Sequence, residues 1–427
     1  MAASSSFRAT GLTRPEHRQR WWTRHWVGSP AVARARTVDV VVVGGGVVGV
    51  ATAWFCARAG MSVRLLEREG LAAGASGRNQ GLVIGPHPAP MAPLAARGLQ
   101  HYLALHEDSG GAFALDLEDH GCLLLGAEPG AVEGTVLSGG ALRAAEPLLG
   151  PGTDRAVLMP ARRIDPRGMV AAMAEAARAA GAELCTGCEV KDLVVSGDRV
   201  LGVRADDGEH HAGVTVVAAG PWSWRVARRL PFDVPVQGVR GWIAVTRPAP
   251  FRLRHAIEDS GWAAAKTGLR PPTVGDLAGG TVPAPLVAGL LQQDHRGRVL
   301  LGASLQVATG DHAEGAGALA GVARRAAALV PALAELAVVE TRTCKRPMSA
   351  DGLPLHGPVP GTEGVVLACG HGSTGITWGA GSGEAVAGGI AEGRWDPALL
   401  PGRFGVDGGM GSTGPPPGLD DRPGARG

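Results

Sequence analysis

The chain has 427 residues, 45% hydrophobic and 19% charged, an ordinary composition for a soluble globular protein with room for two domains or one large α/β domain. Its net charge of +2, with basic residues scattered beyond the N-terminus, excludes the concentrated basic face of a nucleic-acid binder. The 67 glycines follow no collagen period, so they belong in turns and close-packed backbone.

Cys56, Cys122, Cys185, Cys188, Cys344 and Cys369 are widely spread. They suit a reduced, cytoplasmic protein better than a disulfide framework. Cys185 and Cys188 form a C-x-x-C in "AELCTGCEV". No second C-x-x-C or histidine pair completes a zinc set, and the surroundings are not thioredoxin-like. The pair reads as two small residues at a strand end, and no metal is expected.

In chain order, residues 1–36 are Arg-rich with a single acid, Glu16, and no apolar core, so they are not a secretory signal. They read as an unstructured extension or a misassigned start, although "RQRWWTRHW" also offers a surface to a membrane or partner. Between Asp39 and Arg58 then comes a stretch without charge, about as long as a transmembrane span. Within it, Gly44-Gly45-Gly46-Val47-Val48-Gly49 is a G-x-G-x-x-G between a predicted strand, "TVDVVVVG", and a helix from about Val47 to Ala59. A tight glycine turn would break a span in its middle. Gly44 permits the turn, Gly46 lets the backbone approach a pyrophosphate, and Gly49 lets helix and strand pack closely. The helix start supplies free N–H groups and the positive dipole end. After a second strand, "MSVRLLE", Glu67 stands where a carboxylate accepts ribose hydroxyls. Strand, glycines, helix, strand and acid together make a dinucleotide cradle, with no transmembrane segment.

Next, Ser76, Gly77, Arg78, Asn79 and Gly81 form a polar, glycine-rich loop, read either as a wrap for phosphates near a flavin ring or as an exposed turn. "DPRGMVAAMAEAARAAGAEL" predicts a helix capped by Asp165, with Pro166 in its first turn and Gly181 closing it. Short strands follow. From about Leu230 to Glu340 the pattern is mostly strand, with a hairpin turn at "DHRG", as in a second, largely antiparallel module inserted into the first. Near the end, "GVVLACGHGSTGITWGAGSGEAVAGGI" reads as strand, glycine loop and small-residue helix, whose N-terminus would face the negative N1/C2 side of a reduced flavin. The Gly/Pro-rich tail, 403–427, is expected to be disordered.

These segments resemble the D-amino-acid oxidase superfamily of FAD-dependent oxidoreductases, which includes glycine oxidase, the sarcosine oxidase β subunit and D-amino-acid dehydrogenase. The similar stretches, in the family's order, are "VVVVGGGVVGVATAWFCARAGMSVRLLER", "GASGRNQG", "LRAAEPLL", "RRIDPRGMVAAMAEAARAAGAEL", "VTVVAAGPWS", "KRPMSADGLPLHGP" and "ACGHGSTGIT". The resemblance implies an α/β fold: a discontinuous Rossmann-like FAD-binding domain (37–86, 156–230 and 340–400) with a mostly antiparallel β substrate domain (87–155 and 231–339).

It also implies roles. Gly44, Gly46 and Gly49 would hold the pyrophosphate, and Glu67, followed by Arg68, the adenosine ribose. Ser76, Gly77, Asn79 and Gly81 would line phosphate and flavin, and Val190 would meet the adenine through its backbone. Ala219, Gly220 and Trp222 would pack beside the cofactor. Gly370, His371, Gly372, Thr374, Gly375 and Ile376 would cradle the pyrimidine end of the ring. His371 reads as a structural part of that loop, with general base as the alternative. Arg346 matches the position that holds the substrate carboxylate, with a surface arginine paired to an acid as the bland reading. A planar guanidinium suits that bidentate task. Cys344 aligns with a cysteine that carries covalent flavin in some members, but a buried small thiol is the commoner role.

The implied chemistry is hydride transfer from the carbon bearing the nitrogen of a small amino acid or amine to flavin N5, followed by hydrolysis of the imine. The electron acceptor is O2 or a protein or quinone partner, and homo- or hetero-oligomerisation stays open. Two alternatives are the catalytic subunit of a multi-subunit dehydrogenase and an FAD-binding protein without turnover. The sequence departs from the family pattern in having one tyrosine, Tyr102, with Trp262 near an expected substrate tyrosine, and Ser373 where some members carry an arginine. Lys266 reads as a surface lysine rather than an oxygen-activating cation.

Overall fold

The computed structural model describes residues 37–128, 130, 132–260, 286–307 and 315–405. The expectations for residues 1–36, for Trp262 and Lys266, and for the tail beyond 405 lie outside them. Among the described residues, no helix is long and apolar enough to cross a membrane.

The first sheet has a parallel centre in the order Val365–Cys369, Gly208–Val217, Val38–Val43, Val63–Glu67 and Glu183–Thr186. Leu355–Pro358 adds an antiparallel edge, and Val190–Ser196 and Arg199–Ala205 extend it as a meander. Both faces are covered, so the first strand is a run of valines rather than an alternation of apolar and polar residues. Val40 and Val42 pack into a helical layer, while Val41 and Val43 pack on the opposite side.

That layer holds Val47–Arg58, Ala92–Asp108, Pro166–Ala179 and Gly375–Glu392. The glycines of the last helix allow its close approach. A Cβ on Gly383 would collide with Ala51, and one on Gly381 with the backbone of Leu94. Asp165 caps the third of these helices, accepting the Arg167 N–H at 3.1 Å.

The second sheet runs Val338–Ser349, Val236–Pro248, Arg298–Val307, Leu286–Gln293, Ala256–Asp259, Cys122–Leu125, Arg155–Met159, Thr135–Ser138. It is antiparallel except between Ala256–Asp259 and Cys122–Leu125. The hairpin at "DHRG" forms, with Asp294 Oδ1 accepting the N–H groups of Arg296 and Arg298, both at 2.9 Å. Helix Gly315–Leu329 covers one face of this sheet.

The domain edges differ from expectation. Residues 156 and 340 fall inside Arg155–Met159 and Val338–Ser349, strands that pair within the second sheet. Ala92–Asp108, expected in the substrate domain, packs in the first sheet's helical layer through Tyr102 and Leu105. Its apolar stripe reveals a buried face but not which surface covers it. Arg403, expected to begin the tail, lies in a 3₁₀ turn and pairs with Asp351 at 2.7 Å.

Candidate active site

A cavity of about 450 Å³ lies between the carboxyl ends of the parallel strands and the second sheet. Gly44, Glu67, Ala218 and Cys369 line it from one side, and Arg240, Ile243, Cys344 and Arg346 from the other.

The glycine turn forms one end. Gly44 has φ +112°, and a Cβ there would stand 2.5 Å from the Ala218 carbonyl oxygen. Gly49 is packed so closely on the Gly44 carbonyl that a side chain cannot fit. The helix that follows has no acid in its first turn, so its dipole end is uncompensated by its own residues. The Val47 N–H donates to Ser76 Oγ at 2.9 Å, which joins the polar loop to the glycine turn. Glu67 accepts the Gly45 N–H at 2.7 Å on one oxygen and the Glu69 N–H at 2.8 Å on the other. Its carboxylate therefore holds the turn in shape, and each oxygen retains capacity for a further donor.

Within the polar loop, Asn79 is spent internally. Its Nδ2 donates to the carbonyls of Ala75 and Ser76, and its Oδ1 accepts the Gly81 N–H at 2.7 Å. Ser76, Asn79 and Gly81 line the cavity, while Gly77 sits behind the wall, its carbonyl held by Arg167 Nε at 2.8 Å. Arg68 lies over the Trp222 ring, 4.2 Å from its centroid, and both line the cavity beside Ala219 and Gly220. Val190 lines the same end.

At the other end, Gly370 and Gly372 turn with φ +82° and +55° into the last helix. The Gly372 N–H donates to the Pro347 carbonyl at 2.8 Å, tying this loop to the strand that carries Arg346. Gly372, Thr374, Gly375 and Ile376 face the cavity, as does Ser373, with Gly370 behind them. His371 also touches it, but its Nε2 lies 3.1 Å from both His356 Nε2 and Ser382 Oγ in the interior. Burial holds its pKa down at about 3, and burial with the His371 neighbour holds His356 well below the usual imidazole range. The pair is neutral at physiological pH. Tyr102 stands outside the cavity wall, where its hydroxyl donates to the Ile376 carbonyl at 2.6 Å.

Arg346 lies on the cavity wall with Nη1 donating to the Ser304 carbonyl at 3.0 Å. Its guanidinium crosses the adjacent strand at Gly241. Cys344, opposite Gly241 in the register, also lines the cavity. Burial raises its thiol pKa, against the pull of Arg346, Arg78 and Arg240. Arg78 of the polar loop lines the wall, and the structure also brings Gln80, Arg240, Glu258 and Lys345 there, which the sequence did not single out. Arg240 carried a signal, being a charged residue within a predicted strand.

Residues 39–388 match the family described as FAD dependent oxidoreductase, DAO. Glycine oxidase of Pseudomonas aeruginosa is 30% identical over 356 residues, covering 79% of this chain and 90% of that protein. Human mitochondrial sarcosine dehydrogenase is 28% identical over 382 residues, 84% of this chain and 40% of that longer protein. Among solved structures, glycine oxidase from Bacillus cereus superposes with a TM-score of 0.70 at 22% identity, over 85% of this chain and 97% of that one.

Proposed function

The chain belongs to the DAO family of FAD-dependent oxidoreductases and oxidises amine or amino-acid C–N bonds, and from that premise we propose that its substrate is a small α-amino acid of the glycine, sarcosine or D-amino-acid type, held by Arg346. The observation that carries this reading is the placement of Arg346 on the wall of the cavity that the glycine turn and the late glycine loop enclose.

The residues fit FAD. The cavity joins two helix starts, and Gly44, Gly46 and Gly220 line it with backbone alone. Gly44, Gly46, Ser76 and the first helix start would take the pyrophosphate, with Gly49 setting the turn behind them. Glu67 would take the ribose, Arg68 and Trp222 would close over the adenosine half, and the Val190 backbone would meet the adenine. Gly372, Thr374, Gly375 and Ile376 would hold the pyrimidine end of the ring. When bound, FAD supplies the hydride acceptor.

The chain's own contribution is orientation and exclusion of water. Arg346 would bind the carboxylate through two parallel N–H donors and so fix the Cα–H relative to the ring. The second sheet, which forms one wall of the cavity, would cover the reacting carbon. His371, whose pKa burial holds at about 3 and whose Nε2 is engaged with His356 and Ser382, is a poor base for a substrate ammonium.

An anaerobic screen tests the reading. Glycine, sarcosine, D-amino acids, proline derivatives and simple amines are mixed with purified protein while flavin absorbance is followed. Bleaching by carboxylate-bearing amines, weakened in R346A, is expected; bleaching only by amines without a carboxylate would refute the role of Arg346. The electron acceptor is proposed as O2, and peroxide released in step with turnover distinguishes it from a partner that takes the electrons.

A further inference from the structure

We propose that Cys188, Asp207 and His210 form a binding site for a thiophilic divalent cation of the zinc type. The sequence reading found no partners for the C-x-x-C because the partners come from the hairpin that follows. Asp207 sits in the turn between Arg199–Ala205 and Gly208–Val217, and His210 lies on the second of those strands.

The geometry is close to what a metal requires. Cys188 Sγ, Asp207 Oδ1 and His210 Nε2 all lie within 4.8 Å of one another. Sγ stands 3.4 Å and Nε2 2.8 Å from the same carboxylate oxygen. Around tetrahedral zinc, bond lengths of about 2.0–2.3 Å place sulfur about 3.5 Å and nitrogen about 3.3 Å from a ligating oxygen. The nitrogen–oxygen pair must open by about half an ångström, and the sulfur–oxygen pair hardly at all. A thiol, an imidazole and a carboxylate converging on one point is a donor set for zinc rather than for magnesium or calcium.

The surroundings favour a cation in one respect and oppose it in another. Cys188 and His210 are buried, while Asp207 is exposed and leaves an entry path. Glu183 accepts from Cys185, and Asp206 adjoins the turn, so the field is acidic. Arg64 opposes it: its Nη1 lies 3.3 Å from His210 Nδ1. A neutral imidazole bound through Nε2 carries its proton on Nδ1 and requires an acceptor there. Arg64 must then turn off the ring, keeping its 2.7 Å pair with Glu183. The site is adjacent to the cavity. Cys188 lines it, and the Cys188 N–H donates to the Glu67 carbonyl at 2.9 Å, so a bound cation would stiffen the end that holds Val190 and Glu67.

Cobalt(II) titration of untagged, flavin-loaded protein tests this, read as ligand-field absorption at wavelengths longer than the flavin's own bands. One cobalt per chain, displaced by zinc and lost in H210Q and D207N with the flavin spectrum unchanged, is expected. D207N keeps the test open if a buried substitution prevents folding, because Asp207 is exposed. R64Q, which offers the ring proton a carbonyl acceptor, should tighten binding about tenfold. Absence of the band in the wild type, its persistence in both H210Q and D207N, or binding no tighter in R64Q overturns the site. None of these outcomes depends on turnover, so the function proposed above stands or falls separately.

Discussion

The Cα of Gly241 carries the guanidinium of Arg346: a methyl group added there would stand 2.7 Å from Cζ. The two residues lie on neighbouring strands, where Val239 is opposite Arg346 and Gly241 is opposite Cys344. A glycine in the interior of a strand commonly marks close approach of another group, and here that group is the side chain proposed to hold the substrate.

G241A should therefore behave as a mild version of an Arg346 variant. The added methyl pushes the fork away from the Ser304 carbonyl and lowers kcat/KM about tenfold, mainly through KM, with the flavin still bound. R346A should cost about a hundredfold, and R346K should recover only part, because an ammonium cannot present two parallel donors. Steady-state kinetics on the substrate found in the anaerobic screen checks the order R346A, R346K, G241A. An unaltered KM in G241A would show that Arg346 is positioned by something else.

Tyr102 supports the same cavity from behind. Its buried hydroxyl donates to Ile376, whose backbone belongs to the first turn of the helix under the late glycine loop. Y102F leaves that carbonyl without this donor and should destabilise the protein by about 1–2 kcal/mol. Thermal unfolding checks it. A change in substrate specificity without loss of stability would instead indicate that this tyrosine reaches the substrate.

Much of the glycine turn was legible in the sequence, because Gly44 and Gly49 answer to local backbone geometry that strand and helix patterns reveal. The late loop was legible for the same reason. What stayed hidden depends on pairing between distant segments. The Val338–Ser349 strand looks the same whichever sheet it joins, and nothing near Cys188 announces that His210 will stand against it. Glu67 was expected to accept ribose hydroxyls, and its hold on the Gly45 and Glu69 N–H groups, set by how the second strand ends beside the glycine turn, was not legible.

The His356–His371 pair predicts an acid limit. One Nε2 must donate and the other accept, so the two rings cannot both be charged in the folded state. Their folded pKa values are depressed, that of His371 to about 3, from an ordinary 6.5. Below pH 6.5 the unfolded chain takes up protons that the folded chain refuses, so stability is full above that pH and is lost as pH falls towards 3. Between pH 7 and pH 5, His371 contributes about 2 kcal/mol of loss, and His356 adds to it in the same direction. Urea unfolding at the two pH values should show this loss, and H371Q should show roughly half of the pair's share. An identical pH dependence in H371Q would mean that the ring is protonated in the native protein.

Cys344 decides how the flavin is attached. A thiol must ionise to attack, and burial raises the pKa of this one despite Arg346, Arg78 and Arg240 nearby. The protonated thiol is a poor nucleophile, so proximity to the cavity alone does not lead to a covalent bond. Denaturing the purified protein should release all of its yellow colour into the low-molecular-weight fraction, and C344A should retain the same flavin content as the wild type. Colour that stays with the wild-type polypeptide and is lost from it in C344A would show that the ring is held through this sulfur, and that the cavity lowers the thiol pKa once the flavin occupies it.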